Sequence, residues 1–222
     1  MIIEHNIRVA RGQWPVSSLF GILAVIFYLT FTAISYLHYP EPYGPLTNSL
    51  SSLGNPQQNP SGAIFYNAGC ILLGVALIPF YLGLRHWNTG ENKMKVLLAA
   101  AQITGVLSSL SVILAAVFPP GPHTATHGFW AGMLFLSAAF FWVFSAFALL
   151  EHTSSIRWIA YYGYLVIVVI IVAGVFPGFR TASEWVIVAL FLGYVVMLSY
   201  NTRVINLARR GKLPSRGRAK KA

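Results

Sequence analysis

Apolar residues in this chain neither alternate with polar ones nor recur at a helical period. They come in long blocks, separated by short polar segments rich in proline and glycine. A helix needs roughly 20 apolar residues to cross about 30 Å of hydrocarbon. Six blocks meet that requirement and are predicted to be transmembrane helices: 17–37, 63–84, 96–118, 128–150, 158–176 and 184–207. The expected fold is an all-α transmembrane six-helix bundle, with 1–207 as a single membrane domain and 208–222 as a disordered basic tail. Amphipathic periodicity says little here, because lipid-facing and buried helix faces are both apolar. Prolines mark the block ends on one side: Pro40, Pro42, Pro45, Pro119, Pro120, Pro122 and Pro177. Pro79 falls inside the second block, where it either kinks the helix or frees a carbonyl.

The longest polar segment runs from Tyr39 to Gly62. Within it Leu46, Leu50 and Leu53 are spaced to share one helical face, and Gly54 with Asn55-Pro56 stops the pattern. A short amphipathic helix near 46–53 is therefore expected, lying at the interface or tucked over the bundle. Tyr36, Tyr39, Tyr43, Trp130 and Trp185 are expected to form an aromatic belt at the same side.

Composition sharpens the class. Hydrophobic residues make up 56% of the 222 positions and charged residues 9%, with mean hydropathy +0.65. Soluble domains carry about 25% charged residues, so this is an integral membrane protein. The first block follows Arg8 and Arg11 as a signal peptide would, but its run to Leu37 exceeds the usual apolar core of about 7–15 residues, and a retained first helix is expected. Cys70 is the sole cysteine and lies inside an apolar block, which excludes an intrachain disulfide framework and reads as a small packing residue.

The net charge of +10 is unevenly placed. If both termini are cytoplasmic, that side carries Arg8, Arg11, Arg85, Lys93, Lys95, Arg157 and the eight Lys and Arg residues from Arg203 to Lys221, while Arg180 stands alone opposite. This bias predicts a multi-pass cell-membrane protein with both ends inside. The tail basic residues would attract anionic lipid headgroups, at about 1 kcal/mol each near the surface, or serve only to fix topology. A nucleic-acid role is not expected, since no fold or aromatic platform accompanies the charge.

With charge so scarce, the chemistry concentrates in a repeat. Phe118 to His127 reads FPPGPHTATH, and Val175 to Glu184 reads VFPGFRTASE. Each has Val-Phe-Pro, a glycine turn, Thr-Ala-(Thr/Ser), then an ionisable residue where the next apolar block begins: His127 and Glu184. Ionisable groups at membrane depth cost several kcal/mol unless paired or wetted, so these two are the candidate catalytic residues. At helix ends they also have a plainer use, since a carboxylate near a helix N-terminus is favoured by about 0.3–1 kcal/mol. His123, His127, Arg180 and Glu184, with Asn48, Ser49, Ser52 and Asn55 from the long loop, form the candidate ligand-binding set.

Three sites could use such groups. One binds a lipid headgroup or other amphiphile. One is an intramembrane hydrolase or transferase, with His127 as general base and Glu184 orienting it or acting as acid. One is a metal site from His38, His123, His127 and Glu184, but Pro122 breaks the helical turn that His123-x-x-x-His127 needs, and neither a His-Glu-x-x-His signature nor paired cysteines occur. No metal and no cofactor is expected. The loop serines lack a nucleophile elbow. Asn67, Gln102, Thr104, Ser108, Ser109, Ser111, Ser137 and Ser145 lie inside blocks and read as helix-packing residues, as does Gly128-x-x-x-Gly132, which could also serve a homo-oligomer. No acid or base sits mid-membrane, which disfavours an ion-coupled pump.

The loop motif Tyr-x-Pro-Leu-x-x-x-(Ile/Leu)-Ser-x-Leu-Gly, here Tyr43 to Gly54, and the later Phe-Pro element with His, here Phe118, Pro119 and His127, resemble a prokaryotic family of six-helix membrane proteins. That family is known as a domain of unknown function (number nine-nine-eight), and the resemblance covers most of 17–207. It implies location and shape with no activity attached. Ser52 departs from the pattern, standing where an acidic residue, usually Asp, is expected. Taken together, the sequence predicts a protein, more a binder than an enzyme, that holds a lipid or amphiphile in an outward-facing polar vestibule. The alternatives are a membrane-embedded hydrolase or transferase acting on a lipid-linked substrate, and a small transporter or accessory subunit of a membrane complex.

Overall fold

The computed structural model describes residues 14–175 and 180–211, the side chains at 173–175 and 180 excepted. Arg8 and Arg11, the second Val-Phe-Pro turn at 176–179, the Arg180 side chain and the tail from 212 onward lie outside the described residues. Among those described there are six α-helices and no strand: α1 (Val16–Leu37), α2 (Ala63–Leu82), α3 (Asn92–Val117), α4 (Thr124–Glu151), α5 (Arg157–Val175) and α6 (Arg180–Arg209). Five of them are long and apolar enough to cross a membrane. The sixth, α5, is a 19-residue apolar helix.

Each block became a helix within a few residues of its expected bounds, with ends set by local chemistry. Leu37 ends α1 where the His38 ring Nδ1–H turns back to the Ile34 carbonyl at 2.8 Å. Val117 ends α3 because Phe118 is followed by Pro119 and Pro120, which have no N–H to continue the ladder. Pro79 is accommodated near the end of α2, which tightens into a 3-10 turn at Gly83–Trp87. The helix α6 continues to Arg209, so the first residues assigned to the tail are helical.

Two expectations need correction. The amphipathic helix near 46–53 is instead a single 3-10 turn, Leu50–Gly54. Leu50 and Leu53 are buried beneath the loop, whereas Leu46 is 86% exposed. The cause is competition from side chains: Thr47 Oγ1 donates to Asn48 Oδ1 at 2.6 Å and to the Gly44 carbonyl at 3.2 Å, closing a local turn in place of a helix. Gly128 and Gly132 do not serve packing within the chain, since a Cβ at either would meet open space.

Each helix packs on its neighbours in sequence, and α6 returns to pack on α1, so the chain closes into a ring. Several polar residues inside the blocks join helices or satisfy their own backbone, whereas the buried Ser109 hydroxyl has no partner among the described residues. Ser145 Oγ meets Tyr194 Oη at 3.0 Å between α4 and α6, and Gln102 Nε2 donates to the Leu82 carbonyl at 2.7 Å. Thr104, Ser111 and Ser137 bond carbonyls one turn back. Apart from Arg180, the described basic residues Arg85, Lys93, Lys95, Arg157, Arg203, Arg209 and Arg210 lie at the end opposite the Tyr39–Gly62 loop, hereafter the basic end and the loop end.

Candidate functional site

Pro119 deletes the backbone donor that the Ala115 carbonyl, one turn earlier in α3, would have used. His127 replaces it: its Nδ1 lies 2.9 Å from the Ala115 oxygen. A carbonyl only accepts, so Nδ1 carries the proton. Nε2 is then the ring's remaining acceptor, without a protein partner among the described residues. The histidine of the repeat therefore closes the end of α3 from the first turn of α4, and its tautomer follows from that bond.

Glu184 sits in the second turn of α6 and reaches across to the loop. Its Oε1 accepts the Ser51 backbone N–H at 3.0 Å and its Oε2 the Ser51 hydroxyl at 3.5 Å. The carboxylate thus caps the start of the Leu50–Gly54 turn from another helix. Beside it Trp185 Nε1 donates to the Asn48 carbonyl at 3.0 Å, and the Tyr43 hydroxyl donates to the Ser49 carbonyl at 2.8 Å. Burial holds the Tyr43 phenol well above its ordinary pKa, so it stays a donor across the physiological range. Tyr36, Tyr39, Tyr43 and Trp185 form a continuous aromatic cluster here, with Tyr43 central, 4.6 Å from Tyr39 and 5.5 Å from Trp185 between ring centres. Trp130 packs apart from it, on Phe129.

Under this cover lies a narrow internal cavity. His127, Glu184, Ser51, Asn67 and the Tyr28–Tyr66 hydroxyl pair, 3.3 Å apart, line its loop end. Below them the walls are mostly apolar, among them Leu73, Leu77, Leu134, Phe135 and Ile187. The lining follows α4 from His127 to Trp142, roughly 22 Å of axial rise for an α-helix. A site of this kind, apolar with a few convergent polar groups, is the usual form of a small-molecule site.

The other candidates are spent elsewhere. Asn48 Oδ1 accepts from Thr47, the Ser49 hydroxyl meets that of Ser51 at 3.2 Å, and Ser52 Oγ donates to the Ser49 carbonyl at 2.6 Å. Buried Asn55 accepts the Gln57 N–H at 2.9 Å and packs on Gly121. His123 is exposed against Phe118 and does not line the cavity. The Arg180 side chain lies outside the described residues. His38 is exposed on Phe65, and no group of three or more His, Cys, Asp or Glu that could hold a metal is brought together among the described residues.

Sequence reasoning missed Ser51, the tyrosine pair and Asn59. Asn59 is fully buried and ties three segments together: its Nδ2 reaches the Leu53 carbonyl at 3.0 Å and Ser35 Oγ at 3.1 Å, while its Oδ1 accepts the Gly62 N–H at 3.1 Å. The signal available for it was slight, an asparagine ahead of a proline in a polar loop. Cys70 lines the cavity wall as a small buried side chain.

Five helices apolar enough to span, a sixth packed with them and a roofed internal cavity define an all-α, multi-pass membrane protein. The chain belongs to the family described as protein of unknown function (DUF998), whose model matches residues 22–201 and so takes in every residue that lines the cavity. Neither the curated proteins nor the solved structures gave a match.

Proposed function

We propose that this protein crosses the cell membrane six times with both termini cytoplasmic, and that it holds a lipid or other amphiphile in its cavity without reacting with it. The observation that carries this reading is the polarity gradient of the cavity. Most hydrogen-bonding groups gather at the loop end around His127 and Glu184, and the remaining depth is mainly apolar, with the Ser108 hydroxyl and the Trp142 indole as exceptions. A headgroup fits the first part and a hydrocarbon chain the second, where burial is worth about 25 cal/mol per Å² of apolar surface. The charge bias supports the orientation: the basic end would face the cytoplasm and the loop end the exterior. The basic tail would add attraction to anionic headgroups on the inner leaflet.

The rival reading is a hydrolase or transferase on a lipid-linked substrate, favoured by the unpartnered Nε2 of His127. Against it, the ring's other nitrogen is held by a backbone carbonyl and no carboxylate, and Glu184 is engaged by Ser51. Native mass spectrometry of the purified protein, followed by lipid extraction, separates the two. Binding predicts a retained lipid that diminishes in His127→Ala and Glu184→Gln, with unchanged lipid composition on incubation. Retention unaffected by either substitution, together with a converted lipid that disappears in both, would overturn the binding reading in favour of the enzyme.

A further inference from the structure

A cavity roofed at its loop end raises the question of how anything enters. The Ser51–Glu184 and Asn48–Trp185 bonds hold the loop down over that mouth, and the Tyr43–Ser49 bond closes the loop on itself. A second hollow lies on the side of the bundle. Between α1 and α6 runs an apolar groove of about 760 Å³, open space included, lined by Val25, Leu29, Thr32, Ala189, Gly193 and Val196 and overhung by Leu50 and Trp185. Tyr28, Val188 and Leu192 line both the groove and the cavity, so they are the partition between them.

The groove exists because α1 and α6 approach unequally. At Gly21 the helices are so close that a Cβ would lie 2.4 Å from Ser199 Oγ. Toward the loop end the facing residues are Tyr28, Leu29 and Thr32 on α1 and Val188, Ala189 and Leu192 on α6, and the helices leave space between them. Leu29 is 54% and Val196 43% exposed, on a surface that only hydrocarbon would cover in a bilayer.

We infer that the acyl chain of a membrane phospholipid enters the cavity sideways, from the bilayer, through the α1–α6 groove and past Tyr28, Val188 and Leu192. The inference rests on the reading that the cavity holds a lipid. The occupant follows from the place: the groove is apolar but for the Thr32 and Tyr28 hydroxyls and the Trp185 indole, it opens on membrane-facing helices, and it shares the wall of Tyr28, Val188 and Leu192 with the cavity.

The test is lipid exchange. Protein in detergent-free discs is mixed with vesicles of chain-deuterated phosphatidylethanolamine and phosphatidylglycerol, and the bound lipid is followed by native mass spectrometry. Ala189→Trp, which fills the groove from outside the partition, should slow exchange by about tenfold or more while leaving final occupancy unchanged. Tyr28→Ala, which thins the partition, should speed it. Both proteins are first checked for wild-type thermal unfolding, and either alone suffices if the other does not fold. Unchanged exchange in a folded groove variant overturns the lateral route, as does faster exchange when Glu184→Gln loosens the loop while the groove variants do nothing. A wild-type protein that retains no lipid at all removes the proposed function itself, and this inference with it.

Discussion

Pro119 and His127 act as one unit: the proline strips a donor from the Ala115 carbonyl and the imidazole returns one. Their effects on stability should therefore be non-additive. His127→Ala is expected to cost about 1 kcal/mol by leaving a carbonyl unpaired, and appreciably less in a Pro119→Ala background, where a backbone N–H is again available. Equal costs in the two backgrounds, measured by chemical unfolding in detergent, would show that the ring contributes nothing to the end of α3. Asn59 carries more bonds than any candidate named from sequence. Asn59→Ala removes the side-chain bonds to the Gly62 N–H, the Leu53 carbonyl and Ser35 together, although the Asn59 carbonyl still accepts the Gly62 N–H and the Ser35 hydroxyl still donates to Leu53, and should lower stability by about 1 kcal/mol, seen as a lower melting temperature.

Between helices, the Tyr39–Gly62 loop behaves as a roof fastened to α1 through Ser35, to α2 through Asn67, and at two further places. One fastening is Glu184 and Trp185 on α6. The other is the α3–α4 turn, where Gly121 has φ +92° and a Cβ would lie 2.4 Å from Asn55 Oδ1. Both constraints favour glycine, so Gly121→Ala should destabilise the turn by about 1 kcal/mol or more and make the loop more susceptible to limited proteolysis. At the basic end, His152 follows α4, and its Nδ1 accepts the Ser154 N–H at 3.2 Å. Burial, with Arg209 adding to it, holds its pKa below the ordinary 6.5. The unfolded chain then binds the proton more readily, so this contribution is complete above about pH 6.5 and declines as pH falls below it. The melting temperature should drop between about pH 7 and pH 5, and His152→Asn should flatten that slope. The exposed Lys93–Glu151 pair, at 2.6 Å, adds little, since surface pairs are worth about 0–1 kcal/mol.

For the whole molecule, the proposed orientation makes a separable prediction. A reporter fused after Ala222 should be active only if it is cytoplasmic, and a tag inserted at Leu46, 86% exposed in the loop, should be reached by antibody from outside intact cells. A tail reporter found on the exterior would reverse the orientation and with it the leaflet that supplies the ligand.

Much of this architecture is legible in the sequence because the bilayer imposes it. Long apolar blocks must become helices once no water remains to satisfy the backbone, and proline-rich breaks must end them, so the bounds of α1 to α6 could be read to within a few residues. The Val-Phe-Pro repeat likewise singled out His127 and Glu184. What each does was settled only by folding. The carbonyl that His127 serves lies twelve residues earlier in the chain, and the Ser51 N–H that Glu184 caps lies on a loop 133 residues away. The loop polar groups named beside them, Asn48, Ser49, Ser52 and Asn55, satisfy their own segment, because short polar side chains bond the nearest backbone before anything distant. The cavity, its tyrosine pair and the α1–α6 groove exist only where helices far apart in the chain meet. Local pattern fixes which segments enter the membrane, and packing between them decides what space they leave.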